Sequence, residues 1–130
     1  MEYSIKQAAE KMCLTAYTLR YYEKEGLLPF VERDAAGYRL FTENDIEWLG
    51  LICCLKNTGM PIRQIKEFIK CVLEGDQTLE TRRQILVDHR KEVLGQIDEL
   101  NHNLEKINHK IKYYTGCCEK YNEEKLIQTS

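Results

Sequence analysis

The spacing of apolar residues at the start of the chain predicts two short helices joined by a tight turn. The apolar positions of the first helix recur at helical spacing: Ile5, Ala8, Ala9 and Met12. Ser4 and Gln7 form a capping box, so the first helix begins at Ile5. Thr15 caps the second helix, and Gly26 follows its last turn. This outline is that of a helix-turn-helix.

The second helix has two chemically different faces. Leu19 and Tyr22 fall on one side, and the other side carries an aromatic and cationic set: Tyr17, Arg20, Tyr21 and Lys24. Arginine and lysine form charge-assisted bonds with phosphates, and tyrosine adds a stacking ring with a hydroxyl donor. This face suits a nucleic-acid groove. A solvated face with partly packed tyrosines is the alternative.

Two short runs rich in β-formers predict a hairpin after the second helix. They are residues 30–33 and 38–41, and a four-residue turn ending in Gly37 joins them. An isolated hairpin is marginal in water, so this wing must pack on the helices. Arg33 and Arg39 lie on it, where they would grip phosphates or pair with surface acids such as Glu32 and Asp34.

Two further helices complete the first part of the chain. Thr42 caps a third helix that is predicted to run to Gly59. Pro61 fits the first turn of a fourth helix, which Gly75 ends. We therefore assign residues 1–75 to one domain.

A heptad repeat distinguishes the rest of the chain. One seam position is filled by Leu79, Leu86, Val93, Leu100, Ile107 and Tyr114, and the other by Arg83, Arg90, Ile97, Leu104, Ile111 and Cys118. A helix of about 38 residues extends ~57 Å, too long to bury its stripe on one small domain. We expect residues 76–116 to form a dimerising coiled-coil helix with a second copy of the chain, and residues 117–130 to form a polar tail. The charged Arg83 and Arg90 indicate that the early half docks on something other than an apolar coil partner.

Three short strings carry a resemblance to a known family. The strings 18–23 (TLRYYE), 26–29 (GLLP) and 37–41 (GYRLF) resemble the signature of the MerR family of bacterial transcription regulators in composition and order. The resemblance implies a mainly α fold, with a winged helix-turn-helix DNA-binding domain followed by the long helix. The DNA-binding residues expected from the sequence and the resemblance together are Thr15, Tyr17, Arg20, Tyr21, Lys24, Arg33, Tyr38 and Arg39.

The resemblance also implies a mode of action. The second helix would lie in a major groove of double-stranded promoter DNA, and two copies joined by an antiparallel coiled coil would bind a palindromic site. Such regulators bend and untwist promoters with long spacers, so that RNA polymerase meets both promoter elements in register. Cys13 departs from the family pattern, because relatives often carry glycine in this turn.

Composition limits how such a chain binds DNA. Its 130 residues carry 19 Lys+Arg against 21 Asp+Glu, a formal charge of −2, so binding must come from a local basic patch. Hydrophobic residues make up 43%, as in a folded chain. No apolar run approaches the ~18–20 residues of a membrane span, and no hydrophobic signal segment opens the chain. We expect a cytoplasmic protein without a membrane association or a cofactor.

Six cysteines are the most specific chemical feature left for sensing. In a reducing compartment they are free thiols, and the chain ends soon after the coiled coil, so we expect sensing to use the core chain. Cys54 falls off the apolar arc of the third helix, and the stretch 54–59 resembles the aldehyde- and electrophile-responsive branch of the family. We hypothesise that Cys54 is the sensor thiol. An inert cysteine at a dimer contact is the alternative.

Metal sensing and a different class of protein are the rival interpretations. Cys117 and Cys118 could both bind a soft ion, but further ligands would have to come from residues such as Cys71 or His109. A cytoplasmic thiol- or metal-handling protein that does not bind DNA is a third possibility. The sequence has no recognisable pairing of nucleophile and base, no glycine-rich phosphate loop and no CxxC motif, so we expect no enzyme activity.

Overall fold

A computed structural model describes residues 1–129 of the chain, with side chains to residue 128. The elements in chain order are β1 (Glu2–Tyr3), α1 (Ile5–Lys11), α2 (Ala16–Lys24), β2 (Glu32–Arg33), β3 (Arg39–Thr42), α3 (Glu43–Asn57), α4 (Ile62–Glu74), a 3₁₀ turn (Asp76–Thr78) and α5 (Leu79–Thr129). The mainly helical winged helix-turn-helix fold is confirmed. The chain divides into two compact units, the first being Met1–Val87 and the second beginning at Asp88.

The first unit is built around one hydrophobic core. α1 contributes Ala8 and Ala9, and α2 contributes Leu19 and Tyr22. Other elements supply the larger share: Leu27, Leu28, Phe41, Ile46, Leu49, Ile52, Leu55, Met60, Ile65 and Ile69. The small alanines of α1 let α2 approach closely, so the core fixes one face of α2 and leaves the opposite face to solvent.

Local caps begin the helices where the sequence predicts them. Ser4 and Gln7 exchange both bonds of a capping box at α1, and Thr42 forms one with Asp45 at α3. The Thr15 hydroxyl accepts a hydrogen bond from the Thr18 amide at the start of α2. These bonds satisfy amides that have no partner within the helix.

The turn between α1 and α2 contains a strained residue. The Leu14 amide donates to the Ala9 carbonyl at 2.8 Å, and the Cys13 amide donates to the Glu10 carbonyl at 3.2 Å, which together form a Schellman motif. Cys13 occupies the left-handed position of this motif, with φ 55°. Glycine takes that position without strain, so the departure at Cys13 has a backbone consequence. The same motif ends α2 with Gly26, whose φ is 79°.

The wing is part of a three-stranded antiparallel sheet in the order β1-β3-β2. β3 is central, with Thr42 opposite Glu2 and Arg39 opposite Arg33. The first strand of the wing, β2, is shorter than predicted. It lacks Phe30, because the ring of Phe30 packs 6.0 Å from that of Trp48. β1 was not predicted, since two residues carry no readable alternation.

The third helix is also shorter than predicted. It ends at Asn57, and Gly59, with φ 95°, adopts the left-handed turn that leads to α4. The Met60 amide donates back to the Leu55 carbonyl at 2.9 Å and closes this end.

The long helix extends beyond its predicted end. α5 continues through Gly116 to Thr129, so the expected polar tail 117–130 is helical over its described part, and Ser130 lies outside the described residues. A single glycine inside a helix costs only ~1 kcal/mol, which does not break a long helix. Ile85 and Leu86, near the start of α5, pack against the core of the first unit. This agrees with the expectation that the early half of the long helix docks on something other than a coil partner. In the second unit a stripe of apolar side chains is exposed: Leu94, Ile97, Leu100, Leu104, Ile107, Ile111 and Tyr114.

Candidate nucleic-acid interface

The outward face of α2 is the centre of the candidate interface. Tyr17 is 78% exposed and Tyr21 is 38% exposed, and the side chains of Arg20 and Lys24 also face solvent. These four residues share a face because Leu19, on the opposite side, is fully buried. The core therefore presents the aromatic and cationic set as one surface. Thr15 lies beside it at the helix start, where it serves as the cap.

The wing places Tyr38 beside a tight turn. One carboxylate oxygen of Asp34 accepts hydrogen bonds from the Ala36 and Tyr38 amides, and Gly37 adopts φ 88° between them. This geometry is an Asx-type turn, which the short, oxygen-bearing side chain of Asp or Asn forms at its first position. The Tyr38 side chain is 73% exposed at the base of the turn, available for contact with a backbone or groove.

Glu23 of α2 holds both wing arginines. One of its carboxylate oxygens lies 3.3 Å from Nη2 of Arg33, and the other accepts a hydrogen bond from Nε of Arg39. Arg33 also donates from Nη1 to the Gly37 carbonyl at 2.8 Å. The sequence predicted pairing with Glu32 or Asp34 as the alternative to phosphate binding, and the partner is Glu23 instead. Glu23 fixes the wing to the side of α2.

Two lysines from other helices also reach α2. Nζ of Lys66 in α4 lies 3.0 Å from a carboxylate oxygen of Glu25. Nζ of Lys56 in α3 lies 5.4 Å from the ring centroid of Tyr21 and 5.3 Å from that of Tyr22, within cation–π range. Side chains of α2 thus contact the wing and α3, and Glu25, the residue that caps its C-terminal end, contacts α4.

The two adjacent cysteines of α3 differ in environment. Cys54 is exposed, as its position off the apolar arc predicts, whereas Cys53 is half-buried at the edge of the core. Burial raises the pKa of the Cys53 thiol above its ordinary value, and the Lys56 charge opposes this shift. Burial also raises the pKa of the Tyr22 hydroxyl, with smaller contributions from Cys53 and Tyr21. Cys53 is therefore held in its unreactive thiol form near neutral pH.

The cysteines of α5 do not form a metal centre within one chain. Cys117 and Cys118 are both exposed. Across the described residues, no group of three or more His, Cys, Asp or Glu side chains is placed to hold a metal ion. Of the same residues, no helical stretch combines the length and apolar character needed to cross a membrane.

The sequence did not indicate two residues that organise the interface. Glu23 is an acid on a basic helix, and because this helix faces a basic wing, such an acid is a signal for an ion pair. Lys56 lies in the last turn of α3, and its approach to α2 depends on how α3 packs against α2. Neither side chain is expected to read bases, but Glu23 contacts two arginines of the wing and Lys56 contacts Tyr21 on the exposed face of α2.

Comparisons with known proteins agree with this architecture. Residues 3–72 match the family model described as MerR HTH family regulatory protein, and residues 46–110 match that described as MerR, DNA binding. An uncharacterised HTH-type transcriptional regulator of Haemophilus influenzae is 47% identical over 88% of this chain and 84% of its own length. The HTH-type transcriptional regulator AdhR of Bacillus subtilis is 43% identical over 70% of this chain and 65% of its own length.

A solved structure extends these comparisons to a DNA complex. HiNmlR, a MerR family regulator described as lacking the sensor domain and bound to promoter DNA, is 47% identical, with a TM-score of 0.83. The match covers 88% of this chain and 91% of that one. With its helix-turn-helix, wing and long helix, this chain belongs to the MerR family of DNA-binding transcriptional regulators.

Proposed function

We propose that the chain acts as a homodimer that binds a palindromic promoter site and switches transcription by distorting the DNA. The observation that carries this proposal is the exposed set of Tyr17, Arg20, Tyr21 and Lys24 on a helix anchored by its buried face. The 47% identity to a regulator described as bound to promoter DNA supports the same reading surface. Tyr38 and the wing arginines would contact the backbone beside the groove.

The exposed stripe of α5 supports the homodimer. Its leucine and isoleucine side chains are each about half exposed or more, including Leu100 at 67% and Ile111 at 58%. An apolar seam of this length on a soluble chain is typical of a coiled coil that buries it against a partner. A second copy supplies an identical seam, and two-fold symmetry then requires two half-sites in the DNA.

Distortion of DNA gives such a dimer a way to act on RNA polymerase. Bending a site of 20–30 base pairs costs roughly 1–6 kcal/mol, and binding must supply this energy. A signal that changes how the two DNA-reading units are held would change the distortion without removing the protein from the promoter. Polymerase would then meet the promoter elements in or out of register.

The signal in this proposal is a reactive aldehyde or another electrophile, and Cys54 is its target. Cys54 is exposed on α3, whereas its neighbour Cys53 is half-buried with a raised pKa. With an aldehyde, the sulfur forms a bond to the carbonyl carbon, the carbonyl π bond breaks, and the thiol proton ends on the oxygen. The product is a hemithioacetal, and no oxidant is needed.

In vitro transcription from the promoter upstream of its own gene tests the proposal. We expect a small aldehyde to change transcription with the wild-type protein and with Cys53→Ser, but not with Cys54→Ser. Inducibility retained in Cys54→Ser would overturn the role of Cys54. A response to zinc or copper only, abolished in the Cys117→Ser/Cys118→Ser variant, would move sensing to the end of α5. Absence of salt-sensitive binding to the promoter would overturn the DNA-binding proposal as a whole.

A further inference from the structure

Lys56 makes an unusual contact for a charged side chain in the last turn of a helix. Its ammonium group lies over two tyrosine rings of a different helix, at 5.4 Å from the Tyr21 centroid and 5.3 Å from the Tyr22 centroid. In the described part of the chain, Lys56 forms no ion pair with a carboxylate. Lys56 is half-buried, so the contact is partly shielded from water. Shielding strengthens a cation–π interaction relative to an exposed one.

The two rings that Lys56 contacts have different roles in the fold. Tyr22 is 4% exposed and belongs to the core, whereas Tyr21 is 38% exposed and belongs to the outward face of α2. Their centroids are 6.2 Å apart with the planes tilted by 52°. Lys56 therefore links an exposed ring of the reading face to a ring that the core already fixes. Without this link, the tilted contact with the Tyr22 ring would remain, but no charged group would hold the Tyr21 ring from α3.

The local electrostatics favour a positive charge at this place. The aromatic faces of both tyrosines present negative quadrupole density toward the ammonium group. The Lys56 charge also acts on the half-buried Cys53 thiol. Burial raises the pKa of this thiol, and the Lys56 charge opposes that shift. The four side chains form one cluster at the junction of α2 and α3, which we call the junction cluster: Tyr21, Tyr22, Cys53 and Lys56.

We propose that Lys56 is a positioning residue for DNA reading: it holds the Tyr21 ring in the orientation that meets the DNA. In this role the Lys56 ammonium group does not contact a phosphate. The proposal rests on α2 being the DNA-reading helix, as proposed above. It predicts that the charge of Lys56 matters only when the Tyr21 ring is present. It also predicts that the effect of Lys56 on affinity does not depend on counterion release.

A double-mutant cycle on DNA affinity tests this role. Lys56→Met keeps most of the aliphatic stem and removes the charge, Lys56→Arg keeps the charge, and Tyr21→Leu removes the ring. We expect Lys56→Met to weaken binding of promoter DNA about five- to ten-fold, or ~1–1.4 kcal/mol. Lys56→Arg should lose much less. Adding Lys56→Met to Tyr21→Leu should cause no further loss, because the two residues act as a unit.

Salt dependence separates positioning from direct contact. Fluorescence anisotropy at several salt concentrations should give the same slope of log affinity against log salt for wild type and Lys56→Met. A slope smaller by about one would show a lost phosphate contact and overturn the proposal. Additive losses in the cycle would also overturn it. Lys91→Met, at an exposed lysine of α5, controls for the loss of one positive charge from the protein.

Two further controls keep the result interpretable. Urea unfolding compares the stability of each variant, and Lys56→Gln replaces Lys56→Met in the cycle if the latter is not folded. Arg20→Gln tests the underlying DNA-binding proposal separately. If Arg20→Gln left affinity unchanged, α2 would not be the reading helix. If Arg20→Gln weakened binding while both Lys56 variants bound as wild type, only the positioning role would be wrong.

Discussion

Glu23 offers the sharpest test of how the wing is held, because one carboxylate holds two arginines. The perturbation is Glu23→Gln, which keeps the size of the side chain and removes its charge, combined separately with Arg39→Gln and Arg33→Gln. Arg39 of β3 and Arg33 of β2 lie directly opposite each other in the wing. Loss of the Glu23 charge therefore frees the two strands of the wing from α2 at the same point.

The expected magnitudes follow from exposure. The side chains of Glu23 and Arg39 are 24% and 22% exposed, whereas that of Arg33 is 50% exposed. Fully exposed ion pairs contribute ~0.2–1 kcal/mol, and hydrogen bonds to charged groups contribute ~1.5–3 kcal/mol when shielded. We expect a coupling energy of ~1–1.5 kcal/mol for Glu23 with Arg39. The coupling with Arg33 should be ~0.5 kcal/mol or less, because solvent screens it.

Urea unfolding of the wild type, the single variants and the double variants measures both couplings. The coupling with Arg39 should persist in 0.5 M salt, and the coupling with Arg33 should fall, since screening acts mainly on the exposed pair. A coupling with Arg33 equal to or larger than that with Arg39 would refute the reasoning. So would a coupling with Arg39 below ~0.3 kcal/mol, which would make Glu23 an ordinary surface acid.

Three further predictions follow from other parts of the first unit. Cys13→Gly should raise the free energy of unfolding by ~0.5–1 kcal/mol, because it relieves a left-handed backbone at φ 55°, whereas Cys13→Ala keeps the strain and should show no gain in a thermal melt. Arg20→Gln should reduce the salt slope of DNA affinity by about one in anisotropy titrations, while Arg90→Gln in α5 should leave it unchanged. Stability should fall as pH rises above about 9, because the pKa values of Cys53 and Tyr22 are raised in the folded state above 9.0 and 10.0. Each group contributes stability that is present below its unfolded pKa and is lost as pH rises through its folded pKa. Cys53→Val should therefore weaken the pH dependence of the urea midpoint. An unchanged profile would contradict the role of burial.

The parts of the fold that sequence predicts well depend on contacts between near neighbours. The caps of Ser4, Thr15 and Thr42 each act over three residues, and Gly26 and Gly59 sit at left-handed positions that few other residues adopt. The two faces of α2 follow from helical spacing once the core side is chosen. The set of exposed residues proposed to read DNA was therefore accessible from the sequence.

The parts that sequence did not predict depend on packing between distant segments. Glu23 meets Arg39 across 16 positions of the chain, and Lys56 reaches Tyr21 from a different helix. Periodicity contains no information about which charged side chains converge when helices pack. The end of α5 differs from the prediction for a different reason: the composition after Gly116 is polar, as in a tail, but the residues there are compatible with a helix.

The residues of α2 divide into an outward set and an inward set, which would have different tasks under the proposed function. Tyr17, Arg20 and Lys24 project into solvent, so under the proposed function we expect substitution there to alter contact with DNA and to leave the core intact. Orientation of the same helix depends on residues that do not face outward, with Glu23 fixing the wing and Tyr22 anchoring the core. We expect substitution of these residues to disturb several contacts of the proposed reading surface at once. Under the proposed function, specificity and orientation are therefore separable by mutation, and a signal that acts on the second set would alter DNA distortion without changing which sequence is recognised.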